Sequence, residues 1–343
     1  MSIALRSFAK INLGLKIGPP RADGFHELRT IYQTIALHDV VRVEAEAGDA
    51  IEIRCDDPRV PCDATNTCYK IAERVLTTAA QRAHVVITIE KQLPVQGGMG
   101  AASSNAVGAM LGLERALGIH LTPPDKLRIA AEVGSDLPFF LIGGTVLGVD
   151  RGQEVHALQD LPEMPLVVVT PPVGVSTPKA FAQWDALLAV ESALTASTGA
   201  GTIKKLDKAE YPWLSESLLS QAWPAEVPAS GVPALGGDRA ETPLLDLVRT
   251  GIENDFERVV FPEYPELREV KSVLQREGAR YASLSGSGST LYGLFASVGA
   301  AEATAERMRA AGHAASATRT VGRAEYWKAV TSSQLPVARQ EEF

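Results

Sequence analysis

The order of apolar and polar positions divides the chain into short alternating runs and longer helical ones. Residues 3–17 alternate, carry β-forming side chains and end at Gly18-Pro19-Pro20, which predicts a strand followed by a loop. Asp23-Gly24 signals a turn. Residues 40–46 and 50–54 read as two strands joined at Gly48-Asp49, a hairpin. Thr65-Asn66 opens a helical pattern that runs through Ala80, and residues 84–90 read as a strand. A helix follows from about Ser103 to Leu117, with Val107, Met110, Leu111 and Leu117 on its buried face and Gly118 ending it. A second helix near 125–133 leads into Gly134-Ser135-Asp136, and strands are expected at 145–149 and 166–170.

Between about 184 and 246 the character changes. Ala, Ser, Pro and Gly dominate, lysines stand at 204, 205 and 208, and the core pattern weakens, which predicts an insertion. Core pattern returns at Leu247. Residues 264–277 and 300–311 read as helices, Tyr281–Ser297 as strand, turn and strand around Gly286-Ser287-Gly288, and 315–321 as a last strand before a polar tail.

Composition narrows the class. With 343 residues the chain has room for two domains, and its 45% apolar and 22% charged content is ordinary for a globular protein. The net charge of −8 argues against a nucleic-acid surface, so the expected partner is a small-molecule substrate, with neither nucleic acid nor membrane. A monomer and a homodimer are both open. Cys55, Cys62 and Cys68 form no C-x-x-C pair, which predicts neither a disulfide framework nor a zinc site. No signal-peptide core and no apolar run of roughly 18 residues is present, so a cytoplasmic location is expected.

The chemistry concentrates in Pro94-Val95-Gln96-Gly97-Gly98-Met99-Gly100-Ala101-Ala102-Ser103-Ser104-Asn105. Small residues let backbone N–H groups approach an anion, and the helix that follows adds unpaired donors and a positive dipole end. The segment reads as a phosphate cradle. A dinucleotide fingerprint competes, but the acids downstream, Glu114 and Asp125, fall on helices instead of at a strand end about 20 residues on. Three further fragments stand out. Lys10 and Asn12 share one face of the first strand, opposite Ile11 and Leu13, and suit a polar substrate or a solvated edge. Asp136 reads as a reactive carboxylate or as a helix N-cap. Gly286-Ser287-Gly288-Ser289-Thr290 is a turn able to approach a ligand backbone-first, or merely a hairpin.

Taken in order, Lys10–Asn12, the Gly/Ser loop, Gly134–Asp136 and Leu284–Ser289 resemble the GHMP kinase superfamily. Within it, Ala9-Lys10-Ile11-Asn12-Leu13-Gly14-Leu15 followed by Arg21-Ala22-Asp23-Gly24-Phe25-His26 resembles the branch acting on a cytidylyl methylerythritol in non-mevalonate isoprenoid synthesis. The resemblance implies a two-lobed α+β fold. Its N-terminal lobe (1–160) would be like ribosomal protein S5 domain 2, and its C-terminal lobe (161–330) ferredoxin-like, with the atypical insertion at about 184–246. It implies ATP at Pro94, Gly97, Gly98, Met99, Gly100, Ala101, Ala102, Ser103, Ser104 and Asn105, and Mg²⁺ with Ser104 as its candidate ligand. Asp136 would be the catalytic base with Lys10 beside it. Phe25 would stack on the cytosine and His26 bond its edge, while Asn12, Thr177 and Phe181 would line the substrate site. The chain departs from the family pattern at Gln96, Ala101 and Ala102, and carries Phe25 where tyrosine is commoner. A mevalonate- or homoserine-type kinase and a non-catalytic ligand-binding protein on the same scaffold are the alternatives.

Overall fold

The computed structural model describes residues 2–95, 97–198 and 252–332. Gln96 and residues 199–251, which hold most of the expected insertion, lie outside the described residues, as does the expected tail.

Strand β1 (Ser2–Pro20) runs antiparallel to the long β2 (His26–Glu46) over nearly its whole length. The far side of β2 is shared. Its second half pairs with β4 (His84–Glu90), and its first half with β5 (Thr145–Val149), which pairs in turn with β6 (Glu154–Ala157). Strand β3 (Ala50–Cys55) does not form the expected hairpin with β2. It pairs parallel to β4, which lies between them, so the chain crosses over through helix α1 (Thr67–Thr78) before the sheet closes up. Parallel neighbours need such a crossover, whereas a short Gly-Asp link had suggested direct pairing.

Helices α1, α2 (Ala101–Leu117), α3 (Pro123–Val133) and the short α4 (Leu137–Phe140) cover one face of this sheet, around a core that includes Val41, Val43, Ile71, Ile87, Val107, Met110 and Phe139. Asn66 caps α1 by accepting from the Cys68 N–H, and Gly118 ends α2 in the left-handed conformation.

A second sheet, all antiparallel in the order β10–β7–β9–β8, contains β7 (Pro165–Thr170), β8 (Tyr281–Leu284), β9 (Leu291–Leu294) and β10 (Ala314–Arg319). Helices α5 (Thr177–Thr198), α6 (Glu257–Glu263), α7 (Pro265–Arg276) and α8 (Val298–Ala310) pack with it. The expected loss of core pattern at 184 needs correction for its first part. Trp184 is buried in this second core, and Leu187 and Leu188 pack against it. The final helix, α9 (Arg323–Thr331), returns to the first core through Tyr326 and Val330.

A third cluster joins the sheets. Ile11 and Leu13 of β1 meet Tyr292 and Leu294 of β9 and Leu166 and Val168 of β7. Burying the Ile11/Leu13 face here leaves the Lys10/Asn12 face turned the other way, toward the glycine-rich loop. A buried ion pair reinforces the junction. The Lys16 ammonium lies 2.9 Å from Asp255, which also accepts from the Ile17 N–H. The neighbouring Asn254 side chain donates to the Leu284 and Gly286 carbonyls, bracing the second glycine turn.

Candidate active site

Lys10 is almost wholly buried, and its ammonium has three partners. It donates to Asn12 Oδ1 at 2.7 Å and to the Gly98 carbonyl at 3.0 Å, and lies 3.3 Å from Asp136 Oδ2. Three chain segments therefore meet at one nitrogen. Tyr32, on β2, donates its hydroxyl to the other carboxylate oxygen of Asp136 at 3.0 Å. Burial, and then the Asp136 charge, raise the Tyr32 pKa well above its ordinary value, so the phenol keeps its proton and remains a donor. The Asp136 side chain is one-third exposed while Lys10 behind it is sealed, which leaves the carboxylate as the reachable member of the pair. Asp136 precedes α4, but its side chain makes no capping hydrogen bond. The cap alternative for this residue falls away.

The glycine-rich loop owes its path to two left-handed residues. Gly98 has φ +78°, and a Cβ there would stand 2.4 Å from the Ser285 carbonyl; Gly100 has φ +68° and borders Phe140 and the Lys10 stem. Ser285 also donates its hydroxyl to the Gly98 carbonyl, and the Thr290 N–H donates to Gly97, so the two glycine turns clasp each other. Helix α2 begins immediately afterwards with no side-chain cap, leaving its first N–H groups open to an anion.

Beside this helix start lies a cavity of about 320 Å³. Pro94, Gly97–Ser103 and Asn105 form one wall, and Val60, Pro61, Thr65, Asn66 and Lys91 form others. Ser104 is not among the lining residues. It is buried, with its hydroxyl 2.8 Å from Ser7 Oγ, because a residue one position along a helix points about 100° away from its neighbour. The Asn105 amide is likewise engaged, donating to Asp39 and accepting from Ser7. Asp39 is fully buried and also receives Lys91 and the Gln92 and Leu93 N–H groups, which ties β2, the loop and α2 together.

A second group of expected site residues is aromatic. His26 stacks on Phe181, with centroids 4.8 Å apart and planes 14° apart, and Phe181 in turn meets Phe256 edge-on. Phe25 is half exposed, with the Arg151 guanidinium 4.9 Å from its ring centre. The Thr177 hydroxyl lies 2.7 Å from that of Ser287 in the second glycine turn.

This geometry can be set against known proteins. Residues 66–144 match the model of the GHMP kinase N-terminal domain, and 241–314 that of the GHMP kinase C-terminal domain. The protein named 4-diphosphocytidyl-2-C-methyl-D-erythritol kinase from Acaryochloris marina is 32% identical over 308 residues, covering 90% of this chain and 91% of that one. The protein of the same name from Heliobacterium modesticaldum is 35% identical and covers 88% of each chain. The chain belongs to this family of GHMP kinases. A crystal structure of 4-(cytidine 5'-diphospho)-2C-methyl-D-erythritol kinase matches with a TM-score of 0.66 at 27% identity, covering 93% of this chain and 99% of that one. Homoserine kinase from Cytophaga hutchinsonii shares the fold, with a TM-score of 0.62 at 18% identity.

As a member of this kinase family the chain has the expected two-lobed α+β fold. The structure brings Lys10, Asp136 and the loop together, and it brings His26 and Phe181 together. Ser104 is turned away from the cavity, toward Ser7. Asn12 is buried, accepts from Lys10 and donates to Thr30. Tyr32, Asp39, Lys91 and Asp185, which pairs with His26, were not singled out from the sequence. Only Lys91 carried a local signal, as a cation just ahead of the loop. No described helix is long and apolar enough to cross a membrane.

Proposed function

We propose that this chain transfers the γ-phosphoryl group of ATP to the 2-hydroxyl of 4-diphosphocytidyl-2-C-methyl-D-erythritol. One observation carries the reading: the Lys10 ammonium touches both Asp136 and the Gly98 carbonyl, so an acid–base pair sits against a phosphate-binding loop. The names of relatives at 32–35% identity supply the acceptor. Phosphoryl transfer asks a protein mainly for positioning and charge. Asp136 accepts the proton of the attacking hydroxyl, with Tyr32 and Lys10 fixing its two oxygens. Lys10 also offers positive charge to the attacking oxygen as it loses its proton. The loop N–H groups and the start of α2 grip the triphosphate.

Mg²⁺ favours oxygen ligands and keeps phosphate oxygens and waters in its shell, so few protein donors suffice. Ser103, on the cavity wall, is an oxygen donor that fits. The bound ion would neutralise charge on the β- and γ-phosphates.

A coupled assay of ADP release tests the reading, with the cytidylyl acceptor run beside mevalonate and homoserine. ADP release that depends on the cytidylyl acceptor alone supports it. Release with mevalonate or homoserine instead, or with none, contradicts it.

A further inference from the structure

We propose that Asp185 is a positioning residue that locks the His26 tautomer, and through it makes the site select cytosine over uracil. The inference rests on the cytidylyl reading above and names how its base would be told apart. His26 Nε2 lies 2.7 Å from Asp185 Oδ1. An ionised carboxylate can only accept, so in the neutral imidazole the proton sits on Nε2 and Nδ1 carries a lone pair. Nδ1 has no partner among the described residues and is not sealed from solvent. The ring is otherwise fixed, because His26 is buried and stacks flat on Phe181.

Both ends of the pair are anchored. His26 opens β2 opposite Pro20, and Trp184, adjacent to Asp185, is buried in the second core beneath the Arg258 guanidinium. A base that bonds to the His26 edge meets an acceptor at Nδ1. Cytosine places its exocyclic amino donor there. Uracil places a carbonyl oxygen in the same position, and two acceptors face each other. Without the carboxylate both tautomers are populated and the discrimination is lost. This assigns Asp185 a role through His26, with no contact of its own to the reacting atoms.

The test uses the full-length protein and its Asp185→Asn variant, a neutral side chain that can pair with either tautomer. Initial rates are measured with the cytidylyl acceptor and its uridylyl analogue at saturating ATP. We expect KM for the cytidylyl acceptor to rise about tenfold with kcat little changed, and the cytosine-to-uracil ratio of kcat/KM to fall about tenfold. The KM for ATP should not move. A purely structural role would weaken both acceptors alike, and that result overturns the assignment. Nitrogen-15 spectra of the free protein give an independent readout. A protonated Nε2 and bare Nδ1 in the wild type, becoming a mixture in the variant, support the lock; a protonated Nδ1 in the wild type overturns it. Failure of the wild type to phosphorylate the cytidylyl acceptor would instead overturn the functional reading, and the spectra separate the two failures.

Discussion

Lys10 Nζ stands 3.3 Å from Asp136 Oδ2, although one residue lies on the first strand and the other on the turn before α4. The same nitrogen reaches the carbonyl of Gly98 in the glycine-rich loop. The fold thus places a carboxylate, its counter-ion and the glycine-rich loop within one hydrogen-bonded group.

Replacing Asp136 by Asn removes the proton acceptor and keeps the shape. A general base contributes about 10²–10⁴ in rate, and kcat should fall by that range. Binding of ATP, followed by calorimetry, should change little, because the carboxylate does not line the nucleotide cavity.

Tyr32→Phe deletes the hydroxyl that holds the second Asp136 oxygen. A hydrogen bond to a charged group contributes about 1.5–3 kcal/mol, so a loss of roughly tenfold or more in kcat is expected. The acceptor KM should move less. Steady-state rates on both variants check whether the tyrosine acts through the carboxylate, since in the Asp136→Asn background its removal should cost much less.

At Gly98, alanine would meet both a left-handed backbone and a Cβ 2.4 Å from the Ser285 carbonyl. Strain of this kind costs about 1–3 kcal/mol, and the loop must shift to relieve it. An increase in KM for ATP of about tenfold is expected, read from nucleotide titrations. Unchanged ATP kinetics would mean that the clasp between the two glycine turns is incidental.

The Lys16–Asp255 pair is buried at the junction of the sheets. Burial works against the ammonium, but the charges and hydrogen bonds of Asp255 and Glu253 outweigh it and raise the Lys16 pKa above its ordinary 10.5. The sign follows for the lysine: its contribution is complete below 10.5, down to the acid range in which Asp255, its own pKa raised by burial, takes up a proton, and is lost as the pH rises through the higher folded value. Lys16→Met leaves a buried carboxylate uncompensated, and a loss of about 3–5 kcal/mol is expected in urea unfolding. The double variant with Asp255→Leu should recover much of it.

Much of this architecture was legible because local patterns carry it. The glycine loop running into an apolar-periodic helix marked α2, and period-two alternation put Lys10 and Asn12 on one face. The first half of β2 was not legible. Thr30, Gln33 and Thr34 are polar yet buried, held by hydrogen bonds with the backbone of Gly14, Val321 and Gly144, so no alternation announces the strand. The false hairpin at Gly48 arose because the pairing of β3 with β4 is decided by a crossover that no short window contains. In the site, Tyr32, Asp39 and Asp185 act through partners far away in the chain, and only the folded structure joins them. Adjacent serines at the helix start face different ways, which no pattern of the sequence announced: Ser103 lines the cavity, while Ser104 turns to Ser7.

The most direct test of the whole account is phosphorus-31 NMR of the product made from ATP and 4-diphosphocytidyl-2-C-methyl-D-erythritol. The account predicts a new monoester signal from the 2-phosphate with the wild type, formed at least a hundredfold more slowly by Asp136→Asn at about the rate loss expected for a general base. Absence of that signal with the wild type, or its appearance at an undiminished rate with the variant, would contradict it.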